Sequence, residues 1–374
     1  MDKIFASLLE SPLFNLSLSS KELFHSNFLY WIGKNYPEET GDFFSKFCSI
    51  EPDNKRIVLV KREKDNIDFS FSYTNGQKVL IENKVKSIAH ISQLEKYTKT
   101  IDEKICHILL SLSRPSFGIT DDNTFIVKDV RWFYLSYFEY NKFIIKLSEK
   151  LKNDYHKNIL KDYSNFILGL TEIEKISNLK HSDKFDFHSF DSDKIYNSLI
   201  DLRFHDYYLK KKYESLSNLI YLKTKESDLP VLNFGAEPNW GTNNEEITFG
   251  FGMTNAQGLS DTKYKIAHNV ILGIQIQGES FRLFIEDKDG QIAHKIKDQL
   301  FAKKLWFYFD NFGEVEIYPK GTKEFNKYGN VFYYKSIKLG TKYSIDEIVN
   351  IIVDYLKTIK INSLQIKDLI INAS

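Results

Sequence analysis

Residues 67–85 alternate apolar and polar side chains on either side of an Asn75-Gly76 turn dipeptide, and that alternation leaves the chain few ways to fold here. The pattern predicts a β-hairpin with strands over residues 67–73 and 79–85. Every second side chain of a strand shares a face, so Glu82 and Lys84 point to the same side. Where Asp68 points depends on the turn. A two-residue loop opposes Thr74 with Gln77 and Asp68 with Asn83, which turns the aspartate away from Glu82. A three-residue loop, Thr74-Asn75-Gly76 with Gly76 in the left-handed conformation of a G1 bulge, opposes Tyr73 with Gln77 and Asp68 with Glu82. That register also sets Phe69 against Ile81 and Phe71 against Val79, whereas the other sets Phe69 against Glu82. A slip of one residue exchanges the two faces of a whole strand, so the apolar pattern selects the bulged turn and, with it, a cluster of Asp68, Glu82 and Lys84.

Two carboxylates and an ammonium on one face suit phosphodiester hydrolysis, in which hard oxygen ligands hold a divalent cation and a fixed positive charge stands beside it. The bland alternative is the solvated face of an exposed hairpin, which accounts for most arbitrary D…ExK spacings. It is weaker here. Leu80 lies on the same face, and the hairpin runs on into two apolar strands over residues 105–113 and 131–137, so it belongs to a covered sheet in which clustered charges need a reason.

Around this core the periodicity changes. Residues 19–34 place Phe24, Phe28, Trp31 and Ile32 at helical spacing behind a Ser19-x-x-Glu22 capping-box pattern. A second helix is expected from about residue 41 to 48 after the break at Pro37, a strand over 56–61, and helices over 90–102, 141–152 and 155–176. A polar stretch then marks a border near residue 185, separating residues 1–185 from an α+β accessory domain, 186–374, with a substrate- or partner-binding role. In the latter, helices within 194–223 precede strands over 231–234, 247–251, 264–277, 280–286, 306–309, 315–318 and 331–335, and a helix over 344–360 closes the chain.

Glu22-Leu23-Phe24-His25-Ser26-Asn27-Phe28-Leu29, Asp68, Ile81-Glu82-Asn83-Lys84 and Gln93-Leu94-Glu95-Lys96-Tyr97 occur in that order. Together they resemble the PD-(D/E)XK nuclease superfamily, and more closely a bacterial subgroup with an E-x-x-H-S-x-x-L helix, an aspartate strand, I-E-N-K and a Q-L-x-x-Y helix. The resemblance covers about residues 15–140. It departs at the proline-like position before the aspartate, which is Ile67. It implies a restriction-endonuclease-like mixed sheet flanked by helices, a Mg²⁺ or Mn²⁺ cofactor held by Asp68 and Glu82, and Lys84 orienting water or stabilising the transition state. It favours Glu22 as a further ligand over its capping role, makes Gln93 a member of the catalytic set, and makes a part in bacterial defence against foreign DNA a hypothesis. His25, one helical turn from Glu22, can support the site or be a structural histidine. Gln93 and Tyr97 share a helical face and can reach a water or phosphate, or simply pack. Lys86 and Lys96 are candidate phosphate contacts.

With 51 basic and 50 acidic side chains the net charge is +1, so attraction to phosphate has to come from local patches. Cys48 and Cys106 lack metal-ligand spacing, no signal-peptide pattern is seen, and no apolar run reaches the ~18 residues of a membrane span. A soluble cytoplasmic protein without a membrane partner is the expectation, with a protein partner or homo-oligomer through the carboxy-terminal half left open. His181, His188 and His205 are too scattered for a zinc site. Gly250-Phe251-Gly252 lacks the lysine of a phosphate loop. Trp240, Trp306, Tyr308 and Tyr334 are read mainly as sheet packing. The reading that results is a divalent-metal-dependent nuclease acting on DNA. Its competitors are a non-cleaving nucleic-acid- or protein-binding module on the same fold and an RNA nuclease.

Overall fold

The computed structural model describes residues 2–18, 21–48, 55–64, 67–98, 102, 104–186, 194–240, 242–254, 257–267, 269–321 and 324–373. Ser19 of the expected capping box and His188 lie outside them. The chain divides into two compact units, Met1–Ile176 with Ser198–Tyr207, and Ser177–Asn197 with Tyr208–Ser374. A single border near residue 185 does not describe this division, because Ser198–Tyr207 returns to the first unit. The segment just before 185 goes with the second: Phe185 N–H donates to the Tyr343 carbonyl at 3.0 Å. No helix among the described residues is long and apolar enough to cross a membrane.

In chain order the first unit begins with α1 (Asp2–Glu10), α2 (Pro12–Leu16), α3 (Lys21–Asn35) and α4 (Pro37–Ser45). Then come β1 (Ile57–Lys64), β2 (Ile67–Tyr73), β3 (Lys78–Lys84), α5 (Ile91–Tyr97), β4 (Ile105–Ser111), β5 (Thr124–Val127), β6 (Val130–Ser136), α6 (Tyr137–Lys150) and α7 (Asp154–Ser177). α4 starts at Pro37 rather than near residue 41, because proline at the first helical position loses no hydrogen bond. The six strands form one mixed sheet in the order β1-β2-β3-β4-β6-β5. β3, β4 and β6 are parallel, and the hairpins at either edge are antiparallel. Strand β5, not expected from the sequence, is a four-residue edge whose pairing with β6 is made by a tight reversal at Lys128 and Asp129, both in the left-handed region.

Both faces of this sheet are covered. Phe69, Phe71, Val79 and Ile81 are buried on one face, where the Phe44 ring of α4 lies 5.6 Å from that of Phe71 and Gly33 of α3 comes within van der Waals reach of Phe69. On the other face Leu94 of α5 joins Leu109, Phe125, Trp132 and Tyr134 in a second core. Each large apolar side chain so buried contributes roughly 1.5–3 kcal/mol, enough to hold a polar cluster between the layers. The two cysteines, distant in sequence, meet at the end of α4 and the start of β4, where both are free thiols.

The second unit contains the first half of α8 (Lys194–Asp201) and all but the first three residues of α9 (His205–Lys225), followed by β7 (Glu246–Thr254), β8 (Gln257–Ala267), β9 (Val270–Gln277) and β10 (Ser280–Asp287). After these come α10 (Ile292–Ala302), β11 (Asn326–Tyr328), β12 (Phe332–Lys338), α11 (Ile345–Ile361) and α12 (Ser363–Ala373). Its six strands form an antiparallel sheet, β11-β12-β10-β9-β8-β7. The strand expected over 264–277 is two strands, since the chain reverses after Ala267 and pairs with itself. Residues 306–309 form no strand; Trp306 is fully buried and its indole N–H donates to the Phe284 carbonyl at 2.9 Å. Residues 315–318 contribute only a bridge, Tyr318 to Ser336. α11 has the Ser344/Glu347 capping box, and α12, unexpected, follows it.

Candidate active site

The hairpin has the odd-length turn. Phe69 opposes Ile81, Ser70 opposes Leu80 and Phe71 opposes Val79. Tyr73 N–H donates to the Gln77 carbonyl at 2.8 Å, and Gly76, at φ +85°, closes the turn. The same register carried one residue further sets Asp68 opposite Glu82. There the backbone ladder ends, and the Asp68 carboxylate takes over its role: Oδ2 accepts the Asn83 N–H at 2.7 Å. Across the next strand Glu82 pairs with Leu109, and Leu109 with Tyr134, so the acids sit in a row whose other end is apolar core. Glu82 and Lys84 lie at the carboxyl end of a parallel strand, where open α/β sheets place their ligand crevices.

Glu82 is buried, and its Oε1 accepts from Lys84 Nζ at 2.7 Å and from Gln93 Nε2 at 3.2 Å. Its Oε2 is buried with no partner. Burial first, then the neighbouring Asp68 charge, pushes Glu82 up to about 7 against the pull of Lys84, and Glu22 adds to the rise. Asp68 is also raised, by burial first, although the Asn83 N–H and Lys84 oppose the shift. Burial alone would lower Lys84; the carboxylates of Glu82, Glu22 and Asp68 more than reverse this and hold it protonated. The Lys84 ammonium is thus stabilised while the Glu82 carboxylate beside it is not. Burial is the larger cause, and a charge imbalance adds to it: the carboxylates of Glu22, Asp68 and Glu82 share one ammonium.

Helix α3 brings Glu22 to the same cluster. Its Oε1 accepts from the Ser87 backbone N–H at 2.9 Å and from the Ser87 hydroxyl, which fixes the turn after β3. Gln93 and Tyr97, one turn apart on α5, face the acids together, with Gln93 Nε2 3.4 Å from the Tyr97 hydroxyl. Six candidates therefore converge: Glu22, Asp68, Glu82, Lys84, Gln93 and Tyr97. Three others do not. His25 is fully buried among Phe24, Tyr137, Tyr163 and Phe166, with Nδ1 2.7 Å from the Tyr163 hydroxyl. Burial, helped by Lys21, pushes it down to about 3, so the imidazole is neutral and structural. Lys86 is paired with Asp206 at 2.9 Å. Lys96 is exposed near the end of α5.

Asn83 is the residue that sequence reasoning passed over. It is fully buried, donates to Ser26 Oγ at 3.3 Å and to the Glu22 carbonyl at 3.4 Å, and accepts from the Tyr137 hydroxyl at 2.6 Å. It therefore ties β3 to α3 and α6, on the face opposite Glu82. The signal was present: an amide between the two charged residues of a strand, on the core side, must have buried partners. Asn83→Ala leaves the Tyr137 hydroxyl without an acceptor and is expected to lower stability by about 3 kcal/mol, read as a shift of the urea midpoint at unchanged slope. A loss below about 1 kcal/mol would show that the network does not hold these elements.

Among the described residues no group of three His, Cys, Asp or Glu side chains is arranged as a ready metal cage. The residues nonetheless suit one divalent cation. The unpartnered Glu82 oxygen and the raised Asp68 and Glu82 carboxyls are hard oxygen donors with an excess of negative charge. Mg²⁺ is commonly held by one or two carboxylates, keeping waters or phosphate oxygens in its other positions, rather than by an all-protein cage.

No curated protein and no solved structure matches the chain significantly. One family model does, over residues 13–167, a span that holds the mixed sheet and all six converging side chains. That model is of the PD-(D/E)XK nuclease superfamily, and residues 13–167 of this chain are similar to it.

Proposed function

We propose that the protein is a divalent-metal-dependent nuclease that hydrolyses phosphodiester bonds in DNA. The observation that carries this reading is the buried Glu82–Lys84 pair beside Asp68, with one Glu82 oxygen unpartnered and more negative than positive charge in the cluster. A bound Mg²⁺ or Mn²⁺ would be held by Asp68 and Glu82 and would supply Lewis acidity toward the phosphate and a lowered pKa for water. Glu22, fixed by Ser87, adds its charge to the field of the site and is the candidate for a further ligand. Lys84 keeps its proton under the influence of three carboxylates, so it presents a fixed ammonium to a phosphate oxygen on which charge develops. Gln93 holds the Glu82 side chain from the helix side and leaves an N–H near the reacting groups. The apolar row beyond Glu82 keeps bulk water from one side, which strengthens each of these interactions.

The test is incubation of the wild type, Glu82→Ala and Lys84→Ala with duplex DNA, single-stranded DNA and RNA, in Mg²⁺, Mn²⁺ or EDTA. Cleavage by the wild type with metal only, reduced at least about a hundredfold in each variant, is expected. Equal cleavage by all three, or by the wild type in EDTA, would overturn the reading. Cleavage of RNA alone would move the substrate class, and metal-independent binding without any cleavage would favour a binding module. A role in bacterial defence predicts that deletion changes phage sensitivity.

A further inference from the structure

On the same sheet face as Asp68 and Glu82, a cavity of about 350 Å³ opens over the outer part of the hairpin. Its floor is Ser70 and Ser72 of β2 with Lys78 and Leu80 of β3, which follow Asp68 and precede Glu82 at the two-residue spacing of one face. The first floor pair, Ser70 and Leu80, is thus about 7 Å along the strands from the candidate carboxylates. Lys61 of β1, which opposes Ser70, forms one side, and Lys96 and Tyr97 of α5 form the other. Tyr97 contacts Gln93, which contacts Glu82, so the cavity wall and the acid cluster are one connected structure.

Two features set this cavity apart. First, its lining has three lysines and no acid, in a chain whose acids and bases balance. None of the three ammonium groups has an ion-pair partner among the described residues, whereas the larger cavity between α4 and α6 is lined by Glu39, Asp42, Asp122 and Glu139 as well as by cations. Second, β1 is bulged between Val58 and Lys61, with Leu59 at φ +52° and its side chain 68 % exposed at the cavity edge. A bulge re-aims side chains, and a bulky residue in the left-handed region is costly unless the surroundings require it. The result is a cationic slot with apolar edges, Leu59 and Leu80, and one aromatic wall, Tyr97. Phosphate suits the lysines, and a base suits the apolar and aromatic surfaces. The volume is at the small end of ligand pockets and takes a nucleotide or two rather than a double helix.

We propose that this slot binds an unpaired stretch of the DNA substrate next to the bond to be cut, with Lys61, Lys78 and Lys96 on its phosphates and a base between Leu59, Leu80 and Tyr97. The protein is then selective for single-stranded or frayed DNA. This rests on the nuclease reading of the adjoining site, but it is measured separately, by binding in EDTA, where no cleavage occurs. Fluorescence anisotropy of a labelled 12-nucleotide single strand is titrated with the full-length wild type, Lys61→Ala/Lys78→Ala, Lys61→Arg/Lys78→Arg, and the control Lys142→Ala/Lys146→Ala in the other cavity. The first variant is expected to bind on the order of tenfold more weakly, with the slope of log affinity against log salt shallower by about 1.4, roughly 0.7 for each lost phosphate contact. The arginine variant and the control should bind like the wild type. Wild-type binding by the alanine variant, an equal loss in the control or in the arginine variant, no binding of the single strand by the wild type, or tighter binding of a blunt duplex would each overturn the proposal. If added Mg²⁺ or Mn²⁺ gives no cleavage while the slot variant still loses binding, the nuclease reading fails and the slot stands.

Discussion

Glu82→Gln is expected to reduce cleavage by at least about a thousandfold while making the metal-free protein more stable at pH 8. The two effects have one cause. Glu82 is raised from its ordinary 4.5 to about 7 by burial and by Asp68, so holding it ionised costs folding free energy. Each tenfold change in proton affinity is about 1.4 kcal/mol, which puts that cost on the order of 3 kcal/mol. The amide removes the charge but retains an oxygen for the Lys84 and Gln93 hydrogen bonds. Part of the gain is offset because Lys84 loses its nearest counter-charge, leaving roughly 1–3 kcal/mol and a rise of several degrees in melting temperature. Catalysis meanwhile loses an anionic oxygen donor that a neutral amide does not replace. Calorimetry and cleavage assays on one preparation check both. A variant that is inactive and also less stable would mean that the Glu82–Lys84 pair holds the fold together and that the charge imbalance is not real. Such a trade of stability for activity is common where function concentrates like charges.

Metal-free stability is expected to fall between about pH 4.5 and pH 7, and a divalent cation to restore it. The folded-state pKa of Glu82 lies above the unfolded one, so the folded protein holds a proton through this interval that the unfolded chain has released. Stability from this group is therefore fully present below about pH 4.5 and is lost as pH rises through about 7, by on the order of 3 kcal/mol in all. Asp68, also raised, acts in the same direction. A cation held by Asp68 and Glu82 requires both deprotonated, so apparent Mg²⁺ affinity should increase by up to about tenfold per pH unit below 7 and level off above it. Thermal shifts with and without Mg²⁺ across pH 5.5–8.5 measure this directly: a small shift at the acid end, growing to several degrees at pH 8. A Mg²⁺ shift that does not vary with pH, or that survives in Asp68→Asn and Glu82→Gln, would place the cation elsewhere.

Strand parity made the core of the site legible before any coordinates. An odd turn, Gly76 left-handed, and Phe69 against Ile81 all follow from a period of two and the need to bury one face, and all are present. The helix of Glu22 was legible from the helical spacing of its large apolar residues, and the strands β4 and β6 from their short apolar runs. Failures came where local pattern is silent. The break between β8 and β9 interrupts a run that is apolar on both sides, so periodicity reads straight through it. Trp306 and its neighbours have strand composition but are buried by packing rather than by pairing. α10 is short and begins in a Gly290-Gln291 context, and its first N–H groups are capped by Asp287, too far back in sequence to read as an N-cap.

By itself the sequence determined which residues share a face: Asp68 with Glu82 and Lys84, Gln93 with Tyr97. Spacing along one element is a local property, set by the geometry of strand or helix. Only the tertiary structure decided what each face meets. It turned His25 into an aromatic core, paired Lys86 with Asp206, gave Asn83 to Ser26 and Tyr137, and left one buried Glu82 oxygen without a partner. It also set Lys61, Lys78 and Lys96, from three different elements, around one slot. Burial and electrostatic environment are sums over neighbours distant in sequence, so the raised carboxyl of Glu82 could not be read from the hairpin that contains it.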